Sequence, residues 1–295
     1  MHPDVAFPVW SSERARRTES VIDRLLPPAT EPPHRLHEAM RYAVLGGGKR
    51  IRALLAYGGG ELTDADPAVV DSVAAAIELL HAYSLIHDDL PCMDDDALRR
   101  GKPACHVAFG EATALLAGDA LQSFAFETLA GAALPEACRA VLTLARAAGS
   151  HGMAGGQAID LGCVDAGLDL SELERMHRLK TGALIRAAVR LGADCGRPVD
   201  ADGNAALLRY ASAIGLAFQV VDDVLDVEGT AQSLGKTAGK DAVQRKSTYV
   251  TLLGLTAARE RIEALRLDAR AALSGFGARA RRLGELADWI AARTH

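Results

Sequence analysis

The chain has 295 residues and a formal net charge of -5, a balance that gives no reason to expect a nucleic-acid-binding protein. Apolar residues make up 49% of the sequence and aromatic residues only 4%, which favours closely packed helices over sheet. The five cysteines include no Cys-x-x-Cys pair and are typical of reduced thiols in a cytosolic protein.

The N-terminal segment and the hydropathy pattern predict neither a targeting signal nor a membrane anchor. Residues 1–17 lack the apolar core of about 7–15 residues found in a signal peptide. No uncharged apolar run approaches the roughly 18 residues that a membrane span needs. The sequence also has no internal repeat and no low-complexity linker. We therefore expect one all-α domain over residues 1–295, located in the cytoplasm.

The first part of the chain predicts two amphipathic helices and then a glycine-rich turn. The turn, Gly46–Gly48, is followed by the basic segment Lys49–Arg52, which opens a third helix that we expect Gly58–Gly60 to close. A glycine run before basic residues can cradle an anion on free backbone N–H groups. The same run could equally be a flexible linker between two helices.

A long apolar helix that starts near Pro67 leads into the segment 87–96, which contains five aspartates. At helical spacing, the polar residues His81 and Asp88 lie on the same core-facing stripe as the apolar residues Ala74, Ile77 and Leu85. Pro91 should end the helix and let the chain fold back, so that Asp88 and Asp94 could converge. Such dense carboxylates repel unless cations neutralise them, and their oxygen atoms suit Mg²⁺. A solvated acidic loop is the commoner alternative.

Basic residues and three further helices follow this segment. Arg99 and Arg100 precede helices predicted over residues 111–129 and 135–148. Ser171 and Glu174 predict a capping box at the start of the next helix. Lys180 lies in the apolar stripe of that helix, where it could merely extend its amino group to solvent. The Thr181-Gly182 pair after it makes a functional role at least equally credible.

A second acidic cluster lies on the helix predicted over residues 205–227. Its members are spaced i, i+3, i+4 and i+7: Gln219, Asp222, Asp223 and Asp226. Like charges at this spacing destabilise a helix, which is hard to explain without a bound cation. The segment 229–245 that follows is predicted to be a long loop rich in glycine and lysine, including Lys236.

Together these motifs resemble the trans-isoprenyl diphosphate synthases over roughly residues 46–255. The matching segments are Asp88–Asp94 with Leu98–Gly101, Phe218–Asp226, Gly47–Arg52, Lys180–Gly182 and Gly235–Thr237. The four residues between Asp89 and Asp94 resemble the bacterial farnesyl or plant geranylgeranyl type. The resemblance implies a homodimer and an all-α bundle of about ten or more helices around a central cavity.

The resemblance also implies a role for each matching residue. About three Mg²⁺ ions that bridge an allylic diphosphate would be bound by Asp88, Asp94 and Asp222 and supported by Asp89, Asp223 and Asp226. The basic residues that would hold the allylic diphosphate are Arg99, Lys180 and Lys236. Those that would hold isopentenyl diphosphate are Lys49, Arg52, His81 and Arg100. The oxygen atoms of Thr181 and Gln219 would face the developing allylic cation.

The implied reaction joins isopentenyl diphosphate to dimethylallyl and then geranyl diphosphate, giving (2E,6E)-farnesyl diphosphate. Tyr83 lies about 7.5 Å before Asp88 along the helix axis. The resemblance implies that its ring forms the floor of the pocket for the growing product chain and halts growth at fifteen carbons. Ser84 lies on nearly the same face as Asp88. Tyr83 could instead simply pack in the core. Geranylgeranyl diphosphate is then the alternative product.

Other classes of protein explain less of the sequence. A metal-dependent phosphohydrolase could use the His87-Asp88 doublet, but the second acidic cluster and the two arginines would have no purpose. A non-catalytic relative would be expected to lack aspartates, and both clusters are intact. A terpene cyclase would not need Lys49 and Arg52 for a second diphosphate. The C-terminal segment, Ala291–His295, is less basic than the tail that closes the site in relatives.

Overall fold

The computed structural model describes residues 5–163, 167–228 and 247–293, and this part of the chain is almost entirely helical. The prediction of an all-α fold is confirmed. Lys236 and the rest of Gly235–Thr237 lie outside the described residues.

The first half of the chain contains α1 (Phe7–Leu25), α2 (His34–Val44), α3 (Ile51–Leu62), α4 (Pro67–Asp88), α5 (Cys105–Phe109) and α6 (Glu111–Ala130). A two-residue antiparallel pair, β1 (Leu98–Arg99) and β2 (Lys102–Pro103), precedes α5. The middle contains α7 (Ala137–Ala148), α8 (Met153–Gly162), α9 (Leu170–Lys180), α10 (Gly182–Ala193) and α11 (Ala201–Glu228). The described C-terminal part contains α12 (Tyr249–Leu253), α13 (Leu255–Ala272), a 3₁₀ helix (Ser274–Ala280) and α14 (Arg281–Ala291).

Helix α4 lies at the centre of the fold and delivers the first aspartates. The Asp66 side chain caps its start by accepting the Ala68 N–H at 2.9 Å, and Pro67 occupies the first turn. The segment from Val73 to Leu80 is completely or almost completely buried. Helices α1, α2, α3, α6 and α10 pack around α4. The helix is therefore apolar on nearly all sides, as expected of a core helix.

The turn between α2 and α3 is anchored by Arg50. This residue adopts a left-handed conformation with φ 49°, and its buried guanidinium donates to Glu19, to the Val44 carbonyl at 2.5 Å and to Glu78 at 3.3 Å. Glu78 also accepts the Ala53 N–H at 3.1 Å. The Arg50 contacts thus join α1, α2 and α4 at the start of α3. The glycine turn is held in place and is not a free linker.

Two sequence predictions about helix ends are wrong. Helix α3 continues through Gly58–Gly60 to Leu62. These glycines sit where neighbouring atoms leave no room for a Cβ. The capping box of α9 is formed by Asp169 and Glu172, whose side chains accept each other's backbone N–H at 2.9 and 3.0 Å. It lies two residues before the predicted one because Asp169 already satisfies the first free N–H groups.

Two helices, α4 and α11, are long and apolar enough to cross a membrane by length and composition, with mean hydropathies of 1.5 and 1.2. Their apolar windows are 72% and 61% buried within the protein. Core helices of other proteins meet the same two criteria. The sequence analysis had found no uncharged run of this length, and the finding is only weak evidence for a membrane span.

Helices α3 and α10 approach each other through paired glycines. A Cβ on Gly192 would lie 2.0 Å from the carbonyl oxygen of Ala56, and one on Gly59 would lie 2.5 Å from that of Val189. Both obstructing atoms belong to helix backbone and cannot rotate away. The close approach therefore depends on glycine at both positions.

We expect Gly192→Ala to lower the free energy of unfolding by about 1–3 kcal/mol, because the added methyl group forces α3 and α10 apart. The measurement is urea unfolding followed by circular dichroism. Gly162→Ala at the end of α8 is the matched control, since among the described residues no atom beyond its own helix and chain neighbours lies within 4 Å of the added Cβ. That control should be neutral or slightly stabilising. Equal stabilities of the two variants would contradict the packing argument.

Candidate functional site

The chain reverses direction directly after α4, as the sequence predicts. The backbone N–H of Asp94 donates to the carbonyl of Asp88 at 2.8 Å, and that of Asp96 donates to Asp89 at 3.2 Å. Asp95 has φ 51° in the turn. Burial and the nearby charge of Asp94 both raise the pKa of Asp88. Asp88 and Asp94 are therefore electrostatic neighbours despite their six-residue separation.

The first two aspartates contact different partners. The carboxylate of Asp88 is 8% exposed and accepts a hydrogen bond from Nε2 of Gln157 on α8 at 2.7 Å. Asp89 is buried and accepts from two nitrogens of Arg99. Burial raises the pKa of both carboxyls, while Lys180 opposes the rise at Asp88 and Arg99 opposes it at Asp89. Arg99 is thus already paired with a carboxylate beside the site.

Lys180 ends α9 and points into this acidic region. Its Nζ lies 2.7 Å from Oδ2 of Asp160 on α8. Burial would lower the pKa of Lys180, but Asp88, Asp160 and Asp94 raise it overall. Gly156 makes the approach of α8 possible, because a Cβ there would lie 2.1 Å from the Lys180 backbone nitrogen. Lys180 therefore remains charged within the site, and its amino group does not simply extend to solvent.

Thr181 and Gln219 connect the α9–α10 junction to α11. The Thr181 hydroxyl donates to Oε1 of Gln219 at 2.8 Å. The other end of the amide, Nε2, lies 3.3 Å from Nδ1 of His177. The predicted pair is thus in direct contact, and a third residue that the sequence analysis did not select joins it.

The aspartates of the second cluster have different environments. Asp222 is partly exposed and lies 2.6 Å from Nη2 of Arg293, whose guanidinium lies 4.1 Å from the ring centre of Phe218. Asp223 is buried and accepts the backbone N–H of Tyr249 at 2.7 Å. Asp226 is partly buried. Asp222 is therefore the accessible aspartate of the second cluster, while Asp223 holds the start of α12 through its hydrogen bond to Tyr249.

The basic residues at the start of α3 face the second cluster. Burial lowers the pKa of Lys49 and of Arg52, and the charge of Asp222 opposes both shifts. Nε of Arg52 is buried and has no hydrogen-bond partner within the described ranges. His81 has a pKa well below its usual range, because it is buried near Arg52 and Arg100. His81 is therefore neutral beside a group of arginines.

Arg100 joins this group from the β1–β2 turn. Its Nη1 donates to the carbonyl oxygen of Gly47 at 2.6 Å, and its guanidinium lies over Gly48. Burial and the charge of Arg50 lower its pKa. The four residues predicted to hold isopentenyl diphosphate are therefore neighbours, although Lys49 and Arg100 are far apart in the sequence.

The two predicted length-determining residues lie on α4 as expected. Tyr83 is 6% exposed and packs edge-on against His87, with ring centres 5.6 Å apart. Ser84 is buried and donates to the carbonyl of His81 at 2.7 Å. Both the floor and the core-packing interpretations are compatible with this arrangement.

The His87-Asp88 doublet does not form one site. Nε2 of His87 lies 3.0 Å from the carbonyl oxygen of Leu115, and a Cβ on Gly118 would lie 2.1 Å from the same nitrogen. His87 thus packs against α6, while Asp88 contacts Gln157 on α8. The phosphohydrolase alternative therefore loses its structural basis.

No three His, Cys, Asp or Glu side chains converge into a ready-made metal site within residues 5–163, 167–228 and 247–293. A cavity of about 640 Å³ lies between α7, α10 and α11 and is lined by none of the predicted site residues. The candidate site is instead defined by the converging charges on α3, α4, α9 and α11. At the end of α9, Lys180 of this site contacts Asp160 on α8.

Sequence reasoning missed four residues of the site: Gln157, Asp160, His177 and Arg293. Gln157 and Asp160 are three positions apart on α8, after a glycine pair, and this spacing on one helix face could have indicated them. The sequence analysis named the C-terminal segment only as weakly basic. A single arginine there nevertheless reaches Asp222.

The chain is similar to known proteins over most of its length. The model of the polyprenyl synthetase family matches residues 33–271. The chain is 48% identical to a probable farnesyl diphosphate synthase of Bradyrhizobium diazoefficiens, over 94% of this chain and 85% of that protein. It is 46% identical to farnesyl diphosphate synthase of Escherichia coli, over 97% and 99% of the two chains.

A solved structure is also similar over nearly the whole chain. It is geranyltransferase from Helicobacter pylori complexed with magnesium and isoprenyl diphosphate. The TM-score is 0.85, with 32% sequence identity and coverage of 97% of each chain. Because the family model covers most of the chain and the first two relatives are 46–48% identical to it, the chain belongs to the polyprenyl synthetase family.

Proposed function

We propose that the protein is a prenyltransferase that makes (2E,6E)-farnesyl diphosphate. It condenses isopentenyl diphosphate with dimethylallyl diphosphate and then with geranyl diphosphate. The observation that carries this proposal is that each acidic cluster has a basic residue beside it, Lys180 near Asp88 and Arg52 near Asp222. The Thr181 hydroxyl, next to Lys180, is hydrogen-bonded to Gln219 on the helix of the second cluster. The names of the two bacterial farnesyl diphosphate synthases with 46–48% identity support the same product.

The donor set fits Mg²⁺. The predicted ligands Asp88, Asp94 and Asp222 offer only carboxylate oxygens, the hard donors that this ion prefers. Mg²⁺ is commonly bound by one or two carboxylates together with phosphate oxygens of the substrate. This mode suits a protein in which no three acidic side chains converge among the described residues. Bound Mg²⁺ would neutralise charge on the departing diphosphate.

The fixed cations would hold the two diphosphates in separate places. Arg99, Lys180 and Lys236 are assigned to the allylic diphosphate, and of these Arg99 and Lys180 lie beside the first cluster. Lys49, Arg52, His81 and Arg100 are assigned to isopentenyl diphosphate. The unpartnered Nε of Arg52 supports the second assignment, because a buried donor without an acceptor is costly unless a ligand supplies one.

Ionisation of the allylic carbon–oxygen bond would be assisted by groups that are already in place. The oxygens of Thr181 and Gln219, which are hydrogen-bonded to each other, would face the carbocation, and Lys180 stays protonated and would receive negative charge on the leaving group. The double bond of isopentenyl diphosphate then attacks the cation. The released diphosphate takes the proton lost in the last step, since no dedicated base is evident in the described part of the site.

We further propose that residues 1–295 form a single domain that functions as a cytoplasmic homodimer. Leu115 and Leu116 on α6 are exposed apolar side chains. A second copy of the chain would bury them, and this supports the dimer. Size-exclusion chromatography with light scattering would measure the mass. A monomer at micromolar concentration would contradict the dimer.

The direct test of the function is incubation with Mg²⁺, dimethylallyl diphosphate and isopentenyl diphosphate, followed by chain-length analysis. Farnesyl diphosphate is the expected main product. Hydrolysis without condensation would overturn the proposal.

We expect Asp88→Ala and Asp222→Ala each to lower kcat by orders of magnitude, because each removes a carboxylate needed when the leaving group ionises. Steady-state turnover with both substrates is the measurement. Asp268→Ala, which removes an exposed carboxylate on α13, is the control and should leave turnover unchanged. Near-normal turnover of either cluster variant would contradict the metal assignment.

Lys49→Ala and Arg52→Ala should raise KM for isopentenyl diphosphate more than KM for the allylic substrate. The reason is that both residues are assigned to isopentenyl diphosphate and lie at the start of α3, where the charge of Asp222 acts on them. The two KM values are measured by varying each substrate at saturation of the other. An equal rise in both would show that this group does not belong to one diphosphate.

Tyr83→Ala should shift the products to twenty carbons or more while condensation continues, because it removes the proposed floor of the chain pocket. Tyr83→Phe keeps the ring and should still yield mainly fifteen carbons. Chromatography of the dephosphorylated products gives the chain lengths. If the alanine variant still stops at fifteen carbons, Tyr83 is only a core residue.

A further inference from the structure

We propose that His177 is a positioning residue that fixes the orientation of the Gln219 side-chain amide. In this orientation the carbonyl oxygen of Gln219, and not its NH₂ group, faces Thr181. The inference rests on the proposed function, in which a carbocation forms beside these two residues. His177 itself would touch neither substrate nor metal.

The hydrogen bonds at the two ends of the amide identify His177 as the deciding contact. Oε1 of Gln219 accepts from the Thr181 hydroxyl at 2.8 Å, and Nε2 lies 3.3 Å from Nδ1 of His177. A hydroxyl can donate or accept, so Thr181 would tolerate either orientation of the amide. An unprotonated ring nitrogen can only accept, and it therefore selects the NH₂ end.

The environment keeps the His177 ring neutral. The side chain is only 6% exposed, and burial lowers its pKa to about 4. The charge of Lys180 acts in the same direction, while that of Asp160 opposes it. With Nδ1 as acceptor, the ring proton lies on Nε2, which is buried without a hydrogen-bond partner in the part of the chain that the structure describes. The neutral ring is thus available as an acceptor near neutral pH.

The ring is also held against rotation. It stacks on Tyr249 with ring centres 5.7 Å apart and an interplanar angle of 15°. Tyr249 is in turn fixed at the start of α12, where its backbone N–H donates to Asp223 and Thr248 caps the helix. The hydroxyl of Tyr249 is buried without a partner among the described residues, so this residue acts through its ring.

The orientation of the amide has an electrostatic consequence for the proposed reaction. An amide oxygen carries partial negative charge and stabilises a nearby carbocation, whereas the NH₂ group carries partial positive charge and destabilises it. Reversing the amide would therefore raise the barrier to ionisation without removing any group that binds diphosphate. The expected signature of losing His177 is a lower kcat with nearly unchanged KM values.

The test is a double-mutant cycle between His177 and Gln219. His177→Leu should lower kcat roughly three- to tenfold, as loss of one neutral hydrogen bond would do, with KM for both diphosphates changed by less than about twofold. In the Gln219→Ala background the same change should have no further effect, because the amide that His177 orients is absent. His177→Asn offers an acceptor near the position of Nδ1 and should recover at least half of the wild-type kcat.

Tyr249→Phe is the matched control. It keeps the stacked ring and loses only the unpartnered hydroxyl, so kcat should stay within about twofold of wild type. Melting temperatures of all variants show whether a loss of turnover comes from unfolding. If the leucine variant does not fold, the cycle is measured with His177→Phe, which removes the ring acceptor but keeps a ring to stack on Tyr249.

Three outcomes would overturn the inference: a full additional loss in the Gln219→Ala background, a change confined to KM, or no recovery with asparagine. These outcomes differ from failure of the proposed function. In that case the wild-type protein itself would not condense the two diphosphates, and no cycle could be measured.

Discussion

The concentration of charge inside a helical core is the constraint on which this structure depends. Asp88, Asp89 and Asp223 are buried, and each is compensated by a contact from a different element: Gln157 on α8, Arg99 on β1 and the backbone N–H of Tyr249 on α12. Burial of an uncompensated carboxylate costs several kcal/mol, about enough to offset the stability of a domain. These contacts therefore determine where the neighbouring elements lie, as much as apolar packing does.

Close approach of helix backbones brings the compensating groups within reach. Gly156 lets α8 meet the end of α9, so that Asp160 reaches Lys180. Gly118 leaves space on α6 for His87, which turns that ring away from Asp88. At both positions a methyl group would displace backbone or ring atoms and with them a charged side chain. The small residues of this sequence are thus part of the electrostatic arrangement.

The sequence predicted the all-α fold and the chain reversal after α4, because each leaves a local or family-specific pattern. It did not predict the true end of α3 or the roles of Gln157, Asp160 and His177. These features depend on which helices become neighbours, and helix packing is not encoded in short-range periodicity. Gly58–Gly60 illustrate the difference. A glycine run alone is compatible with a helix end, and only the approach of α10 and α14 shows that it serves packing.

The C-terminal segment shows how little sequence is needed to complete such a site. Arg293 is one cation in a weakly basic tail, yet its guanidinium contacts both Asp222 and the ring of Phe218. In the proposed function Asp222 binds metal when substrate is present, and a carboxylate oxygen engaged by Arg293 must then exchange partners. The guanidinium lies close enough to Lys49 and Arg52 to lower the pKa of both. Its departure from Asp222 would therefore also change the electrostatic potential at Lys49 and Arg52, where it adds to the effect of burial.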